Sequence, residues 1–351
     1  MPEQAAIGDT ARMTAIDPSD RRRRFGFLLL PGFSNLCLAN AVEPLRAANE
    51  LGGAEPAYAH RLLSLDGAPV SSSSGIEVKV DGALDDAGRL DAFFVIASAG
   101  FTSFATPAFK AALHRAARNA EVIGAMDTGP WLLAAAGLLD GHRATIHWQE
   151  QARLQEDYPQ VTVTGARYVI DGRRITCGGA TTVLDLMLNL LRQHAGDVLA
   201  LDVMRLFIYD TERPAEGEQQ GPLQAPFVAR APIVAAAIAA MEHAVETPLP
   251  LAEVARRAGC SQRKLERAFD RALGVTPQRY YHYLRLSAGK RMLLDGGHSV
   301  TEVAAGTGFN SATSFARAYK RLFGHPPGAA RPRAADRGRP APAGAGTDTG
   351  T

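Results

Sequence analysis

The chain holds only three cysteines in 351 residues, at 37, 177 and 260, and no CxxC pair. Neither a disulfide framework nor a structural zinc site fits that spacing, so no metal or cofactor is expected. Long apolar runs are missing too. FGFLLL is ended by Pro31 and Gly32, and nothing approaches the ~18 apolar residues that a membrane span needs. No signal-peptide pattern opens the chain. The expectation is a soluble, cytoplasmic protein without a membrane partner. Net charge is nearly absent, at +2, but it is unevenly placed. Residues 232–330 carry 13 Lys and Arg against 7 Asp and Glu, so a basic C-terminal region follows an acidic remainder. Such a region suits a polyanion.

The texture divides the chain. Residues 1–23 are polar and read as a disordered leader. Its Arg21–Arg24 run is either solvated or an arm for phosphate. From 24 to 210, strand-like runs (FGFLLL, YAHRLLSL, IEVKV, DAFFVIAS, EVIGAM, RATIHW, YVIDGRRITC) alternate with helix-like stretches (LANAVEPLRAANEL, 107–119, 130–136, 182–194). That alternation predicts an α/β domain, a mostly parallel sheet with helices on both faces. Residues 211–231, rich in Pro, Gly, Glu and Gln, read as a linker. An all-α domain is predicted over 232–330, and a low-complexity, disordered tail over 331–351.

The helical domain contains a repeat. SQRKLERAFDRALGVTP from Ser261 aligns with SATSFARAYKRLFGHPP from Ser311, fifty residues on. Leu265 matches Phe315, Arg267 matches Arg317, Phe269 matches Tyr319, Gly274 matches Gly324 and Pro277 matches Pro327. Each copy follows a short helix and a glycine turn, which makes two helix-turn-helix motifs. Side chains at the start of each second helix point away from the core toward a major groove. These are Arg263, Lys264 and Arg267 in one copy, and Ser311, Thr313, Ser314 and Arg317 in the other. The plainer reading gives Arg267 and Arg317 to internal salt bridges or to phosphates. PQRYYHYLRLSAGKRMLLDGG reads as one helix tying the copies together.

These residues resemble the AraC/XylS DNA-binding domain over 232–331, with VTEVAAGTGFNSATSFARAYKRLFGHPPGAAR close to that family's signature. Arg331 departs from it, where the family often has Tyr-Arg. The resemblance implies a transcription regulator, an activator more often than a repressor, that binds double-stranded DNA in successive major grooves and works with RNA polymerase.

In the α/β domain, VIGAMDTGPW has the form of a nucleophile elbow, with Asp127 between Gly124 and Gly129 at a strand's carboxyl end. With LLLPGFSNLCLANAVEPLRAANEL, AGLLDGHRATIHW and TCGGATTVLDLMLNLL, it resembles the class I glutamine amidotransferase-like (PfpI-type) fold. More narrowly, it resembles the GlxA-like regulators that join that fold to an AraC-type domain. The resemblance places Cys at the elbow of the enzymes, where this chain has Asp127. It carries His147 over as the family's histidine and Glu43, roughly, as a neighbouring glutamate. A carboxylate in the place of a thiolate argues for a sensor rather than an enzyme, and a hydrolase or isomerase is the alternative. Asp127, Thr128, Trp131, His147, Trp148, Glu43 and Phe33 are the candidate ligand residues. A carboxylate among aromatic rings suits an organic cation. Regulators with this DTG variant resemble those that sense betaine, carnitine or arginine. Each residue also has a plainer reading: Asp127 as a helix cap, the tryptophans and His147 as core, Glu43 paired with Arg46. The Cys177-Gly178-Gly179 turn offers N–H groups to an acidic ligand group. The fold implies a homodimer through residues 24–210.

Overall fold

The structure is a computed structural model that describes residues 22–53, 57–219, 230–294 and 297–330. The expected disordered leader up to residue 21, most of the linker and the 331–351 tail lie outside the described residues.

The chain forms two compact units. In the first, strands β1 (Arg23–Leu29), β2 (Tyr58–Ser64), β5 (Gly82–Ala83), β6 (Leu90–Ala97), β7 (Ala120–Asp127), β10 (Tyr168–Asp171) and β11 (Arg174–Cys177) build one seven-stranded sheet in the order β10-β11-β7-β6-β1-β2-β5. Its pairings are parallel except the β10/β11 edge hairpin. That hairpin corrects the reading of YVIDGRRITC as a single run. Gly172 has φ 58, the left-handed turn that an Asp-Gly pair favours. Two other runs are also shorter than predicted. IEVKV forms only β4 (Glu77–Val78), antiparallel to β3 (Val70–Ser71) and off the main sheet. RATIHW forms only β8 (Arg143–Ala144), beside β9 (Thr162–Val163).

Near-continuous apolar strands are what a sheet covered on both faces requires. Phe25, Phe27, Leu29, Phe94, Ile96 and Met126 point to one face. There they share a core with α1 (Asn35–Leu51), α5 (Thr182–Ala195) and α6 (Asp197–Leu206). The alternate residues Phe93, Val95 and Ala125 are also buried. Gly129, the first residue of α3 (Gly129–Ala135), lies so close to Ala125 that a Cβ there would sit 3.1 Å from Ala125 Cβ. α2 (Pro107–Asn119) packs against β7 and α3. A short α4 (Gln151–Asp157) follows the elbow region. The unit runs on to Glu216, past the boundary that composition suggests at 210.

The second unit carries six α-helices among its described residues: α7 (Pro232–Glu242), α8 (Leu251–Arg257), α9 (Gln262–Leu273), α10 (Pro277–Leu294), α11 (Val300–Gly306) and α12 (Ala312–Phe323). They enclose two small cores. Val234, Ile238, Met241, Val254, Leu265, Phe269 and Tyr281 form the first. Leu286, Leu293, Val303, Phe315 and Tyr319 form the second. α10 supplies Tyr281 to one and Leu286 and Leu293 to the other, so it ties the copies together as its sequence predicts. Gly289 of α10 has no side chain because Phe315 packs there: a Cβ would come within 2.6 Å of the ring.

Candidate functional site

In the helical unit, both copies of the repeat fold alike. Ser261 caps α9 by accepting the Lys264 N–H at 3.4 Å, and Ser311 caps α12 by accepting the Ser314 N–H at 3.2 Å. Gly274 and Gly324 end the two helices with φ of 64 and 80. Leu265 and Phe269, like Phe315 and Tyr319, are buried. Arg263, Lys264, Arg267, Ser311, Thr313, Ser314 and Arg317 are all exposed. The four cations among them form no ion pair among the described residues, which sets aside internal salt bridges for Arg267 and Arg317. Arg267 Nε only reaches the Arg263 carbonyl, at 3.4 Å.

From α10, Tyr281 pins the loop between α7 and α8, and Arg285 pins the turn between α11 and α12. Tyr281 donates its hydroxyl to the Ala244 carbonyl at 2.6 Å and accepts the Leu249 N–H at 3.2 Å. Arg285 donates to the Thr307 carbonyl at 2.7 Å and to that of Gly308, and its guanidinium lies 4.4 Å from the Phe309 ring centre. Burial lowers the pKa of Arg285 from its usual value. Sequence reasoning passed over Tyr281 and Arg285, although both lie in the connector that it singled out.

In the α/β unit, β7 ends at Asp127 with φ 61, a left-handed conformation unusual for a residue with a side chain. The N-cap position of α3 is Thr128, so Asp127 is a displayed elbow residue rather than a cap. Asp127 is 8% exposed and Thr128 7%. The Thr128 N–H donates to the Ala97 carbonyl at 3.3 Å, and the His147 N–H donates to the Asp127 carbonyl at 2.9 Å. His147 and its neighbour Trp148 are half-buried, with ring centres 5.9 Å apart.

Other candidates lie elsewhere. Trp131 is turned to α4: its indole N–H donates to Asp157 Oδ2 at 2.8 Å, Tyr158 meets its ring edge-on, and the Arg153 guanidinium lies 5.8 Å from its centre. Phe33 is fully buried in the α1-side core. Glu43 is exposed on α1 and paired with Arg46 at 2.7 Å, the plainer of its two readings.

The α1 residue that meets Asp127 is Cys37, whose Sγ lies 3.9 Å from Asp127 Oδ2. Cys37 is a site residue that sequence reasoning missed. Its position in the first turn after β1 was the available signal, because that turn faces the carboxyl ends of the strands, where ligands bind in open α/β sheets. Burial, and secondarily the Asp127 charge, push its thiol well above the ordinary cysteine range. It therefore stays protonated and can donate S–H to the carboxylate. The Ala180 N–H donates to Cys37 Sγ at 3.0 Å, and Asn40 holds the Ala180 carbonyl at 3.0 Å. Ala180 too is left-handed, with φ 50. Beside it Gly179 (φ 87) presses on the elbow: a Cβ there would lie 2.7 Å from Asp127 Cβ. Cys177 is fully buried and bonded to Thr182 Oγ1 at 3.1 Å. Burial first, with the charges of Asp185 and Asp127 adding to it, pushes its thiol up to about 12, which leaves it inert.

Two exposed, capped reading helices and a separate α/β unit with a strained elbow define a DNA-binding transcription regulator with a sensing domain. The comparisons agree. Residues 254–333 match a helix-turn-helix domain model, and residues 27–193 match the DJ-1/PfpI family. The chain is 40% identical over 303 residues to the transcriptional regulator CdhR of Pseudomonas aeruginosa, covering 86% of this chain and 90% of that one. It is 36% identical over 322 residues to the transcriptional regulator GlxA of Rhizobium meliloti, covering 92% and 99%. An isonitrile hydratase of Pseudomonas putida is 31% identical over 174 residues, 49% of this chain and 72% of that one. The chain belongs to the GlxA-like, AraC-type family of transcriptional regulators. Among the described residues, no helix is long and apolar enough to cross a membrane.

Proposed function

We propose that the α/β unit is a catalytically silent sensor for a small cationic or zwitterionic nitrogen metabolite, betaine-, carnitine- or arginine-like, bound at Asp127. The observation that carries this reading is the Asp127 carboxylate, displayed in a left-handed elbow beside a protonated thiol. His147, whose N–H bonds the Asp127 carbonyl, and Trp148 beside it are half-buried rings of the kind that suit an organic cation. Thr128 borders the carboxylate along the chain. Trp131, Phe33 and Glu43 stay outside the proposed contact set, because their rings or charges are already engaged elsewhere.

The chain acts in the cytoplasm as a homodimeric activator that binds promoter DNA and recruits RNA polymerase. Support for pairing through the first unit comes from an apolar stripe on and just after α6: Val198 is 75% exposed, Leu201 47% and Ile208 87%. Light scattering of the full chain with and without Val198→Lys and Leu201→Lys tests this. Loss of a dimer in the double variant is expected, and a monomeric wild type would refute pairing.

Chemistry of the hydratase or hydrolase kind has little support at this elbow. The thiol that meets Asp127 is Cys37, and its raised pKa keeps it from serving as a thiolate nucleophile.

Calorimetry with glycine betaine, carnitine, choline and L-arginine tests the sensor. One of them should bind the wild type, and Asp127→Asn should weaken it by about 10- to 100-fold, the scale of a charge-assisted contact. Equal binding by the variant, or no binding of any of the four, defeats the reading.

A further inference from the structure

A single stretch of turn joins the elbow to the segment by which the chain leaves the first unit. That turn, residues 178–181, connects β11 to α5. One side of it bears on the elbow: Gly179 abuts Asp127, and Ala180 bonds Cys37. Its other side bears on residues 209–216, which lie along α5. The Arg213 guanidinium donates to Thr181 Oγ1 at 2.8 Å and to Asp185 Oδ2 at 2.7 and 3.0 Å. The Arg213 backbone N–H and the Tyr209 hydroxyl fill Asp185 Oδ1 at 2.9 and 2.6 Å. The Asp185 side chain is 0% exposed, so this carboxylate depends on the segment for all four bonds.

The segment is fastened at two more points. Glu212 pairs with Arg192, one of the two bonds measuring 2.8 Å. Arg167 donates its backbone N–H to the Ala215 carbonyl at 2.8 Å and its guanidinium to the Pro214 carbonyl at 2.9 Å. The Arg167 carbonyl in turn accepts the Gly178 N–H at 2.9 Å. Both ends of the turn therefore hold the strap: Gly178 through Arg167, and Thr181 through Arg213.

We infer that the 178–181 turn relays occupancy of the elbow to this strap, so that a ligand seated on Asp127 lifts the turn and releases residues 209–216, the last of the first unit, from α5. The inference rests on the reading of Asp127 as a ligand site and adds the route by which that site speaks to the rest of the chain. The turn has no slack. Gly179 already touches the elbow, and two consecutive left-handed residues fix its path, one of them an alanine that pays for that conformation in strain. A group entering between Asp127 and Gly179 must displace it. Contiguous packing and hydrogen bonds with two discrete arrangements are what coupling between sites requires. Release adds roughly 25 Å of reach at about 3.3 Å per residue. The length of free chain between joined binding units sets how readily they engage one site together.

Hydrogen exchange on the full chain tests the relay without any ligand. Gly179→Ala mimics occupancy, because its Cβ collides with the elbow. Exchange in residues 209–216 should rise at least tenfold while β6 stays protected. If exchange rises around 176–182 but not in 209–216, the relay is wrong. Should Gly179→Ala loosen β6 as well, and so fail to fold, Thr181→Val decides. It removes one acceptor from Arg213 and no helix cap, since Thr181 makes no capping bond. A three- to tenfold rise in 209–216 with residues 124–130 unchanged supports the relay, and unchanged protection overturns it. The wild type is then measured with glycine betaine, carnitine, choline and L-arginine. An amine that binds without speeding exchange in the strap refutes the relay. If none binds, only the effector reading fails, and the two variants still decide the relay.

Discussion

The two units present their working groups in opposite ways. In the helical unit, the side chains proposed to read DNA are exposed and stand on a buried scaffold: Arg263, Lys264, Arg267 and Arg317 project from helices whose inner faces are sealed by Leu265, Phe269, Phe315 and Tyr319. In the α/β unit, the Asp127 carboxylate proposed to bind ligand is almost enclosed, and strained backbone holds it there. A long polyanion is met by outward cations that keep their water until contact, because phosphate binding is driven by counterion release. For the small ligand proposed at Asp127, a preformed, partly desolvated site would fix orientation at low entropic cost. Reading residues should therefore be removable without harm to folding, whereas elbow and scaffold residues should not.

The largest effect that tests this contrast is on scaffold. Phe315→Ala opens the second core of the helical unit and should cost about 3–5 kcal/mol of stability. Thermal melting followed by circular dichroism should show that unit unfolding earlier. A melt like wild type would mean that Phe315 does not hold the motif. Gly289→Leu should act in the same direction, since any side chain there meets the Phe315 ring.

Next in size are the reading residues. Arg317→Ala should leave stability within about 0.5 kcal/mol of wild type. DNA binding should weaken by about 1–3 kcal/mol, read by fluorescence anisotropy. A destabilised Arg317→Ala would break the contrast by making that side chain structural.

The smallest effect sharpens it through pH. Burial lowers the pKa of His282 below the ordinary 6.5, and the neighbouring charges of Arg285 and Arg321 lower it further. The ring is thus held neutral in the folded state. As pH falls through 6.5, the unfolded chain takes up the proton first, so stability is present above that value and declines below it. The helical unit should melt a few degrees lower at pH 5.5 than at 7.5, and His282→Gln should shrink that difference. A melting temperature that rises on acidification would contradict the assignment.

Much of this was legible in the sequence because the deciding interactions are local. The fifty-residue repeat, the serine caps and the terminating glycines all act within a few residues, and so does the strand-to-helix elbow around Asp127. The surroundings of Asp127 were not legible. Cys37 reaches it from ninety positions away, after β1, and Gly179 from the turn after β11, contacts that the sheet order β11-β7-β6-β1 creates. Glu43 shows the cost of working without that order. On α1 it lies six residues beyond Cys37, about 1.7 turns at 3.6 residues per turn, which rotates it off the buried face and into solvent with Arg46. Trp131 shows another limit: helical spacing put it near the elbow, but not which side it faces. The linker boundary misled for a different reason. Residues 211–216 have linker composition, yet Arg213 and Glu212 are drawn onto the first unit by the charges of Asp185 and Arg192.

The central claim is that α9 and α12 each read their own stretch of DNA. Selecting bound sequences from a random DNA pool with wild type, Arg267→Ala and Arg317→Ala tests it most directly. Wild type should recover two conserved elements about one helical turn, ~10 bp, apart. Arg267→Ala should relax one element and Arg317→Ala the other. A single element, or the same positions relaxed by both variants, would contradict the account.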